Sequence, residues 1–199
     1  EGDIGCGIGN VLLNLRVNGV KAKMYGVDIS KDMIKLAKKR LASTGYKDIT
    51  FVEGSSEVID VTADILFSLG VIGYQKNQIE FIDSLAKIVN KGGYFIFTTG
   101  NGDSFLRAIR IYFSKLHSFF KKETKSRGIL FSSLKDKQVK RFMETSGLKL
   151  EKRIYLTFGI GLFSSRLECF IDKILFRYFN NSHAGKFLSL SVIHVYKRV

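Results

Sequence analysis

The stretch DIGCGIGN, Asp3–Asn10, constrains this chain more than any other. Gly5, Gly7 and Gly9 alternate behind an aspartate and an isoleucine, and a helical pattern starts at Asn10. Asp3 and Ile4 read as the end of a strand, the glycines as a loop, and Asn10–Val17 as a short helix stopped by Asn18-Gly19. Glycines in such a loop permit positive φ and let a ligand approach the backbone closely. A loop from a first parallel strand into its helix lies at the carboxyl edge of the sheet, where doubly wound folds bind ligands. The helix start adds unpaired N–H groups.

The same unit recurs downstream. MYGVDIS is a short strand ending in Asp28, about 20 residues beyond the loop, the position from which an acid can hold a ribose hydroxyl pair. Ser30 is placed to cap a helix, Asp32 sits in its first turn, and Met33, Ile34, Ala37 and Leu41 share one face. ITFVEGSSE is a third strand running into a turn. ADILFSLGVIGY, residues 63–74, is a fourth; it is too apolar to be half exposed, which places it centrally in a parallel sheet. Ile79, Ile82, Leu85, Ala86 and Val89 recur at helical spacing, and KGG turns the chain into a fifth strand, YFIFTTG. Alternating strands and helices predict right-handed parallel crossovers.

The second half is patterned differently. Residues 103–127 read as one long helix with Phe105, Ile109, Phe113, Leu116 and Phe120 on one side and several lysines and arginines beside them. Ser133 with Asp136 predicts a capping box for a helix closed by Gly147. A sixth strand covers 148–158, Ser165 with Glu168 predicts a second box before 166–179, and the last strand is set at 187–197. The expected fold is α/β: a doubly wound, mostly parallel, seven-stranded sheet in one domain over 1–199, with helical insertions at 103–130 and 159–185. The chain does not begin with Met and opens inside a strand unit, so the expectation is that an N-terminal segment precedes it.

Composition narrows the chemistry. Cys6 and Cys169 match no metal or redox spacing, and His117, His183 and His194 are scattered, so no metal is expected. A formal charge of +14 leaves an anionic substrate, nucleic acid or a membrane surface open as partners. A reducing, cytoplasmic setting is the default, with peripheral attachment to a membrane as the variant.

The dinucleotide fingerprint G-x-G-x-x-G is broken here, because Asn10 stands where its third glycine would be. The pattern D-x-G-x-G-x-G instead resembles the signature loop of class I S-adenosylmethionine-dependent methyltransferases. GVDIS-KDMIKLAKKRL, FVEGSSE, ADILFSLGVIGY and NKGGYFIFTTGN follow in that family's order. The resemblance implies a Rossmann-like methyltransferase fold and S-adenosylmethionine as cofactor. It implies roles as well. Asp3 would lie near the cofactor's amino group, and Gly5, Cys6 and Gly7 would line the methionine part. Asp28 would bind both ribose hydroxyls and Ile29 would flank the adenine. Ser55 and Ser56 would fall at the adenine edge, and Ser68 and Leu69 would offer carbonyls to the amino group. Many relatives carry an aspartate in place of Ser55.

Methyl transfer from a sulfonium is already activated, so positioning matters more than acid–base groups. No catalytic base is assigned; Tyr74 and His117 are the residues weighed for it. Resemblance to quinone-biosynthesis and lipid- or glycan-modifying enzymes implies a small, hydrophobic or membrane-derived acceptor methylated on oxygen or nitrogen. The rival expectations are an RNA methyltransferase, a nicotinamide-dependent oxidoreductase, and a non-catalytic membrane- or nucleic-acid-binding module that kept the fold. Phe-rich, basic amphipathic insertions match helices that lie at a membrane interface.

Overall fold

The computed structural model describes residues 1–55, 62–109, 111–112, 133–158 and 165–199. Strand β1 (Gly2–Ile4) leads through the glycine loop into α1 (Asn10–Val17). β2 (Met24–Asp28), α2 (Lys31–Ala42), β3 (Ile49–Glu53), β4 (Ala63–Ser68), α3 (Gln78–Lys87) and β5 (Val89–Asn101) complete the alternation. Beyond them lie a two-residue β6 (Ser133–Leu134), α4 (Asp136–Thr145), β7 (Leu148–Leu156), α5 (Ser165–Phe179), α6 (His183–Leu188) and β8 (Ser191–Arg198).

The sheet runs β3-β2-β1-β4-β5-β8-β7, with β6 beside β5. Neighbouring pairs from β3 to β5 are parallel, whereas β8 is antiparallel to both β5 and β7. The order reverses at β1, which lies between β2 and β4, so the crevice of a doubly wound sheet opens above β1. The glycine loop follows that strand directly.

Alternation along the strands divides the core. Val27, Leu66, Phe95, Phe97 and Tyr196 pack with Ile82 and Leu85 of α3 and with Val139 and Met143 of α4. On the other face Met24 and Phe51 meet Leu12 and Leu13 of α1 and Ile34 and Ala37 of α2. Burying a side chain of Leu or Phe size contributes on the order of 1.5–3 kcal/mol, so these two layers fix the sheet level at which the loop emerges.

The mostly parallel sheet is as expected, and the Asn18-Gly19 stop and the Ser30 cap hold; the Ser30 hydroxyl accepts from Met33 N–H at 3.4 Å. Several boundaries differ. The fourth strand ends at Ser68, because Gly70 takes positive φ and residues 72–74 wind into a 3-10 turn. Ser133 lies in β6 and does not cap the next helix; Lys135 N–H donates to Gln138 Oε1 at 3.3 Å at that helix start. The last strand starts at Ser191, since Phe187 and Leu188 belong to α6. Met33 is exposed, so the buried face of α2 is narrower than expected. The expected 103–127 helix is seen at 105–109, with its remainder largely outside the described residues; the Ser165–Glu168 box opens at residues whose side chains are likewise outside them.

Candidate functional site

Three strand ends converge above β1: the glycine loop, the end of β2 and the end of β4. Gly5 and Cys6 N–H groups both donate to Val27 O, at 2.7 and 3.0 Å, which folds the loop back over the second strand. Gly5 has φ +76°, and a Cβ there would stand 2.0 Å from Val71 Cγ2. Gly7 also has positive φ, but a Cβ at Gly7 would meet nothing within 4 Å. The first glycine is demanded by the protein's own packing; the second faces open space. Arg40 of α2 fastens the far side of the loop, with Nη1 donating to Ile8 O and to Asn10 Oδ1, both at 2.7 Å.

Asp28 closes the crook. Its Oδ2 accepts from Gly7 N–H at 2.8 Å and its Oδ1 from Ser30 N–H at 2.9 Å. Each carboxylate oxygen can accept more than one hydrogen bond, so a pair of hydroxyl donors can still be taken by an anchored, pre-oriented group. Beside it Ile29 is 81% exposed, an apolar side chain at a strand end where a flat ring can lie against it.

Two polar atoms below the crook lack partners within the protein. Asp3 Oδ2 and Ser68 Oγ are buried and make no hydrogen bond. They sit on adjacent strands, β1 and β4. Desolvation, then the nearby Asp28 charge, pushes the Asp3 carboxyl up to about 7. Burial, reinforced by Asp3 and Asp28, pushes the Cys6 thiol up to about 12, so it is no thiolate nucleophile; its side chain turns into the core against Phe51 and Leu12. Two acids at one loop in a chain of net charge +14 make a local negative site suited to a cation-bearing, dihydroxylated ligand.

The structure therefore brings Asp3, Gly5, Gly7, Asp28, Ile29, Ser68 and Leu69 to one carboxyl edge. Cys6 contributes to it through its main chain. Ser55 lies exposed after β3, while Ser56 and His117 lie outside the described residues. Tyr74, in the 3-10 turn beyond β4, is exposed at the rim. Among the described residues no cluster of His, Cys, Asp and Glu can hold a metal. Sequence reasoning missed Arg40, Val71 and Phe51, which set the loop's position; Phe51 would stand 2.4 Å from a Cβ at Gly9. No local signal marks them, because each acts across long sequence separation.

The methyltransferase domain family is matched over residues 3–147. The ubiquinone biosynthesis O-methyltransferase of Vibrio cholerae is 30% identical over 113 residues, covering 54% of this chain and 45% of that protein. The malonyl-[acyl-carrier protein] O-methyltransferase of Halalkalibacterium halodurans is 25% identical over 134 residues, covering 64% of this chain and 46% of that protein. The chain thus spans about half the length of these curated relatives. Among solved structures, magnesium protoporphyrin IX methyltransferase from Synechocystis PCC 6803 with bound SAH superposes with a TM-score of 0.67 at 17% identity, covering 100% of this chain and 73% of that one. That likeness is one of fold.

Proposed function

This chain belongs to the methyltransferase domain family, and from that premise we propose that it transfers a methyl group from S-adenosylmethionine to an oxygen or nitrogen of a small, hydrophobic acceptor. The observation that carries the reading is the crook itself: Asp28 held by the Gly7 and Ser30 amides, above the unpartnered Asp3 Oδ2 and Ser68 Oγ. Asp28 holds the ribose hydroxyls and Ile29 covers one face of the adenine. Gly5, Cys6 and Gly7 run along the methionine part, and Asp3 with Ser68 and Leu69 receives the ammonium. Ser55 and Ser56 border the adenine edge. The bound sulfonium supplies an activated methyl group.

What the chain adds is placement. The two acids favour a cation at this edge, and what weighs against the nicotinamide reading is the glycine spacing, with Asn10 in place of the third glycine. Positioning of this kind accounts for much of the acceleration in a displacement between two held partners. His194 supplies no accessible base, since full burial, then Arg153, pulls it down to about 3.

The apolar acceptor is supported by the sheet edge beyond β5. The Ser104 hydroxyl donates to Phe187 O at 3.4 Å, which brings the exposed Phe105 and Phe187 segments together there. Incubating the protein with methyl-labelled S-adenosylmethionine and a cell extract, then partitioning the products, tests the reading. Label is expected in small molecules of the organic phase and lost with Asp28→Ala. Label confined to RNA or protein contradicts it.

A further inference from the structure

Helix α5, Ser165–Phe179, carries two neighbouring apolar stripes, one residue apart in register and so about 100° apart around the helix. Leu175 and Phe179 pack inward on Tyr155, Phe158 and Val192. Asp172 also turns inward, accepting from Phe158 N–H. Outward, Phe170, Ile174 and Tyr178 follow one another at i+4 spacing and are 61%, 42% and 69% exposed. Lys173 and Arg177, again four apart and both exposed, border that stripe. Burying one face of a helix accounts for one apolar stripe; the second needs another partner.

We propose that this outward face of α5 lies in the surface of an anionic lipid bilayer, with Phe170, Ile174 and Tyr178 among the acyl chains and Lys173 and Arg177 among the headgroups. The charge pattern selects this occupant. A second copy would bring its own +14 against the first. Single-stranded RNA stacks on aromatic rings, whereas the centre of this stripe is the aliphatic Ile174. Apolar side chains flanked by cations are the composition of helices that lie in an interface. Among the described residues no helix is long and apolar enough to cross a membrane, so the contact is in the plane of the surface. The inference does not rest on which acceptor is methylated.

Co-sedimentation of the full chain with phosphatidylcholine vesicles, with and without phosphatidylglycerol, tests it. Binding is expected only to the anionic vesicles and is expected to fall with added salt. Phe170→Ser/Ile174→Ser/Tyr178→Ser is expected to weaken it at least ~10-fold, about 1.4 kcal/mol, and Lys173→Glu/Arg177→Glu to abolish the anionic preference. S-adenosylmethionine binding is expected to stay unchanged in both. Because the triple variant can fail to fold, Phe170→Trp provides a second readout in a chain with no tryptophan. Its emission is expected to shift to the blue on anionic vesicles and to stay unshifted on neutral ones. Four results overturn the proposal: no binding to anionic vesicles, an unshifted emission from the Phe170→Trp variant on them, a wild-type dimer that the triple variant turns into monomer, or vesicle binding by the triple variant equal to wild type.

Discussion

The two halves of the sheet hold their buried polar groups differently. Around β1, β2 and β4 the polar groups are left incomplete, with Asp3 Oδ2 and Ser68 Oγ unpartnered and Asp28 anchored by main-chain amides alone. Around β5, β7 and β8 several side chains pair with one another, while Arg153 Nε, His194 Nδ1 and the Tyr196 hydroxyl make no hydrogen bond. Arg153 approaches Asp136 at 3.5 Å, Tyr155 donates to Asp136 Oδ2 at 3.2 Å, Thr99 Oγ1 meets His194 Nε2 at 2.9 Å, and Asn101 Nδ2 donates to Ser189 Oγ at 2.8 Å. A buried polar group without a partner is unfavourable unless something supplies one. On the proposed function the first region serves a ligand and the second, through its ion pair and hydrogen bonds, stability, and substitutions should divide accordingly.

The largest effect is expected at Gly5. Gly5→Ala combines a left-handed backbone with a clash against the β-branched Val71, and should lower stability by about 3 kcal/mol in urea unfolding while abolishing cofactor binding. Gly7→Ala shares the positive φ but meets open space, so about 1 kcal/mol is expected, with cofactor affinity still reduced. Equal losses at the two glycines would show that the loop's space is not reserved for a ligand.

Next comes the paired region. Asp136→Ala leaves Arg153 and the Tyr155 hydroxyl without their carboxylate and should lower stability by about 2 kcal/mol. Calorimetric affinity for S-adenosylmethionine should not change. A Kd that moves tenfold with this substitution would merge the two regions into one functional unit.

The pH effects carry opposite signs. Asp3 binds its proton more tightly folded than unfolded, so its contribution to stability falls as pH rises from the ordinary carboxylate range through about 7. His194 binds its proton less tightly folded, so its contribution falls as pH drops from the ordinary imidazole range toward about 3. Thermal melting across pH should show Asp3→Asn removing the first trend and His194→Gln removing the second. Because a cationic ligand favours the Asp3 carboxylate, S-adenosylmethionine should bind more tightly as pH rises through about 7, and Asp3→Asn should flatten that profile.

This division also explains what could be read from the sequence. Gly5, Gly7 and Asp28 carry their roles in local spacing, because a glycine loop and a strand-end acid are constrained within one β-α-β unit. Ser30 and Asn18-Gly19 are legible for the same reason. Arg40 reaches Ile8 across 32 residues, and Thr99 meets His194 across 95; nothing near either residue in the chain announces its partner. Hydropathy sets the start of β8 too early because Phe187 and Leu188 are as apolar as the strand they precede, and only the Ser182 cap, accepting from Gly185 N–H at 3.0 Å, turns them into a helix.

The central claim is that the crook at Gly5–Gly7, with Asp28, receives S-adenosylmethionine. Isothermal titration of the wild type and Asp28→Ala with S-adenosylmethionine and with NADH tests it most directly. The account predicts saturable binding of S-adenosylmethionine, none of NADH, and at least ~10-fold weaker binding by Asp28→Ala, about 1.4 kcal/mol. Binding of NADH in place of S-adenosylmethionine, or an affinity that Asp28→Ala leaves untouched, would contradict it.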